Sequence, residues 1–167
     1  MPQNLSRAND FEKIFTVGTN RGIFLSIGTC YASVVLNALD LSMGALTIGD
    51  SADKVYKILG QPNITRQGTQ GRTYLAYKDI EVILYQGKIF TMISQTPKFS
   101  TPRGIREGST INDVFREYGN DYKLSHYDNE ELYEYFINSV DGSPCWLRFA
   151  VLNSDVKVYY ISIRVNH

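Results

Sequence analysis

The chain has 167 residues, 43% hydrophobic and 20% charged, with 17 Lys and Arg against 17 Asp and Glu. This is a globular composition that excludes disorder throughout, and a net charge of zero leaves no overall field to attract nucleic acid or anionic lipid. Cys30 and Cys145 are the only thiols, too few for a disulfide framework and without the spacing of a zinc site, so packing has to hold the chain together.

Residues 1–20 are polar, whereas 23–39 contain no charged residue, with Arg21 before the run and Asp40 after it. A basic flank, an apolar stretch and small residues at Ala38 or at Gly44 and Ala45 give residues 22–39 the form of an export signal. The leader is therefore drawn at 1–39, with the mature chain expected to begin between Ala38 and Thr47, in the cell envelope or outside the cell. Two other readings stay open. A buried helix, or the remnant of a third unit, would place the protein in the cytoplasm; its support is that Lys13-Ile14-Phe15-Thr16 recurs at Lys88-Ile89-Phe90-Thr91. A membrane anchor is the other, at the short end for a span. Thr29 before Cys30 does not suit a lipoprotein signal.

Beyond Asp40 the same punctuation occurs twice. Gly49, Val55 and Gly60 recur as Gly108, Val114 and Gly119 at one constant interval, which indicates a repeated structural unit. In the first copy Val55, Ile58 and Leu59 share a helical face, with Asp50 or Ser51 as the cap. In the second, Ile111, Val114, Phe115 and Tyr118 follow helical spacing, and Thr110 with Asp113 has the form of a capping box. Gly60 and Gly119 stand where a left-handed cap closes a helix, and Pro62 prevents resumption.

After each helix the period changes to two. Strands are expected at 64–67, 72–77, 80–85 and 88–94, then at 122–127, 131–137, 145–152 and 156–165, separated by turn-forming residues. The predicted fold is α+β: two tandem units, at 40–96 and 97–167, each a short helix packed on an antiparallel four-stranded meander. Residues 95–103, with Pro97 and Pro102, read as the linker.

A sheet with helices on one side leaves its other face to solvent or a partner. Alternation puts Cys145, Leu147, Phe149 and Val151, with Tyr159, Ile161 and Ile163, on the core side. The opposite set is Glu134, Trp146, Arg148, Tyr160 and Arg164, joined from the first unit by Arg72, Tyr74, Glu81 and Tyr85. Trp, Tyr and Arg are the residue types enriched at binding hot spots, so this face is the candidate binding surface and another protein the expected partner.

Two tandem units, each opened by Gly-x5-Val-x3-(Leu or Tyr)-Gly, resemble beta-lactamase-inhibitor-protein-like domains. In single copy, with Leu59-Gly60-Gln61-Pro62, the unit is similar to the outer-membrane assembly lipoproteins of the SmpA/OmlA (BamE) type. The resemblance implies an exported, non-enzymatic protein-binding module and carries no contact residue onto this chain.

No hydrolase, metalloprotease, nucleotide or dinucleotide motif occurs, and no cofactor or metal is expected. His126 beside Asp128 is the one place to look for an acid or base, and an enzyme built there is one alternative. A carrier of small ligands in a Tyr-lined cleft between the units is the other. Glu130, Glu131 and Glu134 read as a solvated strand edge rather than paired catalytic carboxylates, and Cys145 as a buried, inert thiol.

Overall fold

A computed structural model describes residues 33–166. The leader up to residue 32, with Cys30 and the suggested third-unit remnant, lies outside the described residues, as does His167. In chain order, a 3-10 turn (Ala38–Leu41) and a two-strand ribbon, β1 (Ser42–Met43) with β2 (Leu46–Thr47), precede α1 (Ala52–Leu59). Four strands follow: β3 (Ile64–Gln67), β4 (Arg72–Ala76), β5 (Glu81–Tyr85) and β6 (Lys88–Ser94). Then come α2 (Ile111–Tyr118), β7 (Lys123–His126), β8 (Glu130–Asn138), β9 (Pro144–Leu152) and β10 (Val158–Val165). No helix among the described residues is long and apolar enough to cross a membrane.

The two helices start and stop as their caps dictate. The Ser51 hydroxyl accepts the amide of Lys54, and Thr110 and Asp113 bond reciprocally, satisfying amides that a first turn leaves free. Gly60 and Gly119 end the helices at φ 76 and 78 with ψ −154 and −172, a region open to glycine alone. A Cβ at Gly60 would meet nothing within 4 Å, whereas at Gly119 it would stand 3.3 Å from Val34. Gly60→Ala is therefore expected to cost about 1–3 kcal/mol from backbone strain, and Gly119→Ala more. Urea melts of the two variants check the order, and an equal or smaller loss at Gly119 would contradict it.

All eight strands from β3 to β10 form one antiparallel sheet in the order β3-β4-β5-β6-β10-β9-β8-β7. The join is made by β6 and β10, where Ile161 pairs with Ser94 and Ile163 with Met92. Backbone bonds fasten each helix entry to one of these central strands: Gly49 and Asp50 bond Ile89, and Gly108 and Ser109 bond Val158. A single core lies between the helices and one face of the sheet. It holds Val55 and Val114 from the helices, Leu75, Val82, Leu84, Ile89 and Met92 from the first four strands, and Tyr135, Leu147, Phe149, Ile161 and Ile163 from the last four.

Three local expectations need correction. Ile58 is exposed, because the buried stripe of α1 runs through Ala52, Val55, Tyr56 and Leu59. Residues 95–103 are no loose linker: Phe99 and Thr101 are buried, with Ile105 just beyond. Tyr159 is off the core face, since a register shift between Val158 and Tyr160 inserts an extra residue and hands its place to Val158.

The segment that follows residue 32 is part of this core. Leu41, Met43 and Leu46 are buried in it, and Asp40 is 3% exposed. Arg103 holds it there: Nε and Nη2 reach the two Asp40 carboxylate oxygens at 2.6 and 2.9 Å, while Nη2 and Nη1 donate to the carbonyls of Val35 and Glu117. Of the starts expected between Ala38 and Thr47, those beyond Asp40 would remove that carboxylate and then Leu41, Met43 and Leu46 from the core, whereas a start at Ala38, Leu39 or Asp40 keeps them all.

Candidate functional site on the open sheet face

Cross-strand register fixes which side chains share the face turned away from the helices. Arg72 pairs with Tyr85, Tyr74 with Ile83, Glu81 with Ile93 and Ile83 with Thr91; across the join, Thr91 pairs with Arg164 and Ile93 with Ser162. Arg164 continues to Trp146, Ser162 to Arg148, and these to Phe136 and Glu134. In a pleated sheet such partners point the same way. All nine residues named from alternation therefore lie on one face, opposite the core.

They do not form one site. Arg72, Tyr74, Arg148, Tyr160 and Arg164 line a depression of about 400 Å³ over the β6–β10 join, together with Phe90, Thr91 and Ser162. Glu134 and Trp146 border a neighbouring hollow with Phe136 and Lys123. Glu81 and Arg66 line a smaller one from β5 and β3, and Tyr85, at the end of β5, lines another hollow with Lys88 and Asp141.

Phe90 was missed by alternation for a physical reason. Between Ile83 and Leu84 the β5–β6 register slips, so that Ile89 and Met92 both face the core and the intervening residues no longer alternate. Phe90 carries the guanidinium of Arg72 at 5.2 Å and that of Arg164 at 6.0 Å from its ring centre, distances at which a cation is attracted to the ring face.

Next to the depression lies the main ionic cluster of the face. Glu134 is 4% exposed, which corrects its reading as part of a solvated strand edge. Arg148 Nε stands 2.7 Å from one carboxylate oxygen; the Ser125 hydroxyl donates to the other at 2.7 Å, and Lys123 lies 3.4 Å from it. Burial alone would raise the Glu134 pKa, but the Ser125 hydrogen bond, Arg148 and Lys123 together hold it below the usual carboxylate value. Lys123 also approaches the Trp146 ring at 5.8 Å, and Trp146 packs edge-on against Phe136. Farther along β10, Tyr160 donates to Glu130 at 3.2 Å, and burial followed by the Glu130 charge raises its pKa.

The other chemical candidates lie elsewhere. His126, on edge strand β7, is paired with Glu131 at 3.3 Å and is largely exposed; the Asp128 carbonyl accepts from Asn153. Cys145 is buried on the core side, and burial pushes its thiol pKa up. Among the described residues no group of three or more His, Cys, Asp or Glu side chains is placed to hold a metal ion.

No family model matches the chain, and no curated protein matches it. Among solved structures it is similar to a cysteine-rich secretory protein from Staphylococcus aureus subsp. aureus Mu50, with 12% identity and a TM-score of 0.53 over 71% of this chain and 44% of that one. It is also similar to an extracellular protein containing a SCP domain from Bacillus anthracis str. Ames, with 10% identity and a TM-score of 0.52 over 86% of this chain and 50% of that one. The chain spans about half the length of each, and at such identities the likeness is one of fold. These neighbours overturn the resemblance to beta-lactamase-inhibitor-protein-like and BamE-type domains. The Gly-to-Gly motif behind it is a capped helix on a sheet, a local solution that unrelated α+β folds share.

Proposed function

We propose that the chain is a non-enzymatic binding module of an exported protein, and that it recognises another protein through the open face of its sheet. The observation that carries this reading is the depression of about 400 Å³ over the β6–β10 join, lined by three arginines and two tyrosines. These side chains offer large contact area and several donors each, which is what binding hot spots draw on. Phe136, 52% exposed, and half-buried Trp146 extend the surface with apolar area. Export is supported by the descriptions of the two similar structures, one secretory and one extracellular. The recurrence of helix plus four strands in chain order supports an origin of the sheet in two tandem units.

The test is affinity capture with the full chain from the culture fluid and cell envelope of its host, comparing wild type with Trp146→Ala and Arg164→Ala. Each variant is expected to lose captured partner at least about tenfold, the effect of removing a hot-spot residue. Thermal stability should stay close to wild type, because neither side chain belongs to the core. Arg148 is unsuitable for this purpose, since its removal would strand the buried Glu134. A small-ligand carrier is favoured by one observation: Tyr74 and Tyr160 face the same depression from opposite sides of the join. A compound binding there would raise the melting temperature by mass action.

A further inference from the structure

We infer that the partner presents an acidic, extended segment of polypeptide, with a carboxylate seated between Arg72 and Arg164 and the rest of the segment running across the strands to Trp146 and Phe136. This rests on the open face being the recognition surface. The chain as a whole is neutral, yet the depression is lined by Arg72, Arg148 and Arg164 and by no Asp or Glu. Arg148 is neutralised from outside it by Glu134. Arg72 and Arg164 have no carboxylate at ion-pair distance among the described residues; what positions them is the ring of Phe90.

Arg72 Nε is, moreover, shielded from solvent and donates to no group among the described residues. A buried donor left unmet is costly, and a shift of the Arg72 side chain that brings Nε to a partner's acceptor would relieve that cost. A planar guanidinium presents a fork of donors that fits the two oxygens of a carboxylate. Arg72 and Arg164 approach the one Phe90 ring from β4 and β10, and both line the same depression, so two forks are available to one bound segment.

The span of the surface selects a polypeptide over a small anion. From Arg72 on β4 to Phe136 on β8 the sheet runs through β5, β6, β10 and β9, a distance of about 24 Å at the usual strand spacing. About seven residues of extended chain cover that distance. Beyond Arg164 the path continues over its register partner Trp146 to Phe136, so the same segment would end on aromatic side chains.

The experiment measures binding of the full chain to a labelled peptide of alternating Glu and Tyr long enough to cover that span. Its counterpart with Gln for Glu, glutarate and inorganic phosphate are the controls. The acidic peptide is expected to bind, to weaken as salt is raised, and to lose affinity about tenfold or more in R72Q, in R164Q and in the Gln counterpart, with melting temperatures unchanged. Equal affinity for the Gln peptide, or undiminished binding by both arginine variants, would overturn the inference. Competition by glutarate or phosphate at the peptide's own concentration would also overturn it, by showing that the site takes a small anion. Should Trp146→Ala and Arg164→Ala abolish partner capture while the peptides show no acidic preference, the inference fails and the proposed function stands. If those substitutions leave capture intact, both fail.

Discussion

Arg103→Ala is expected to destabilise the protein by about 3–5 kcal/mol, the loss found when one member of a buried ion pair is removed, and to lower the melting temperature on the order of 10 °C. One guanidinium meets both oxygens of Asp40, the carbonyl of Val35 and the carbonyl of Glu117, and lies over the Tyr118 ring at 5.1 Å. Without it, the carboxylate of Asp40 stays buried and uncompensated, and the turn that carries Leu41 into the core loses its tie to the end of α2. Arg103→Lys keeps the charge but not the fork, so its loss should fall between wild type and Ala. Urea melts of the three proteins check this; a loss below about 1 kcal/mol for Arg103→Ala would place the contact among ordinary surface ion pairs.

Arg148→Ala should cost about 3 kcal/mol, at the low end for a broken buried pair because Arg148 is itself only partly buried. Glu134→Gln in the same chain should recover much of that loss, since an amide needs no counter-charge. The pair also sets an acid dependence. With its pKa held below the usual range, Glu134 contributes stability that is complete above about pH 4.3 and disappears as pH falls through its depressed value. In Arg148→Ala the desolvation of Glu134 is less opposed, so the loss should begin at higher pH. Glu134→Gln alone should flatten the acid limb. Melts across this pH range would contradict the account if Glu134→Gln retained the full acid slope of wild type.

What could be read from the chain in advance was local. Thr110 and Asp113 cap α2 because their spacing allows nothing better for the free amides, and Gly60 and Gly119 end helices because side chains strain there. The two faces of β8, β9 and β10 followed from the simple alternation of Tyr135 with Glu134, Leu147 with Arg148 and Ile161 with Tyr160. Where an extra residue enters, at Phe90 and Tyr159, a period of two gives no warning, and Phe90 was lost to the candidate site for that reason. Longer-range facts left no local trace. Asp40 and Arg103 meet across 63 positions of sequence, and nothing in the pattern of 88–94 or 156–165 says that these strands pair. The motif that suggested a family was itself local, which is why it misled about kinship.

Recognition is proposed to occur on the sheet face opposite the helices. Its most direct test is the captured partner retained by Trp146→Ala and Arg164→Ala, set against Arg116→Ala on the exposed side of α2, which serves as a control. At least about tenfold loss is expected for the first two variants and none for Arg116→Ala, with all three equally stable. Undiminished capture by the sheet-face variants, or loss through Arg116→Ala alone, would contradict it.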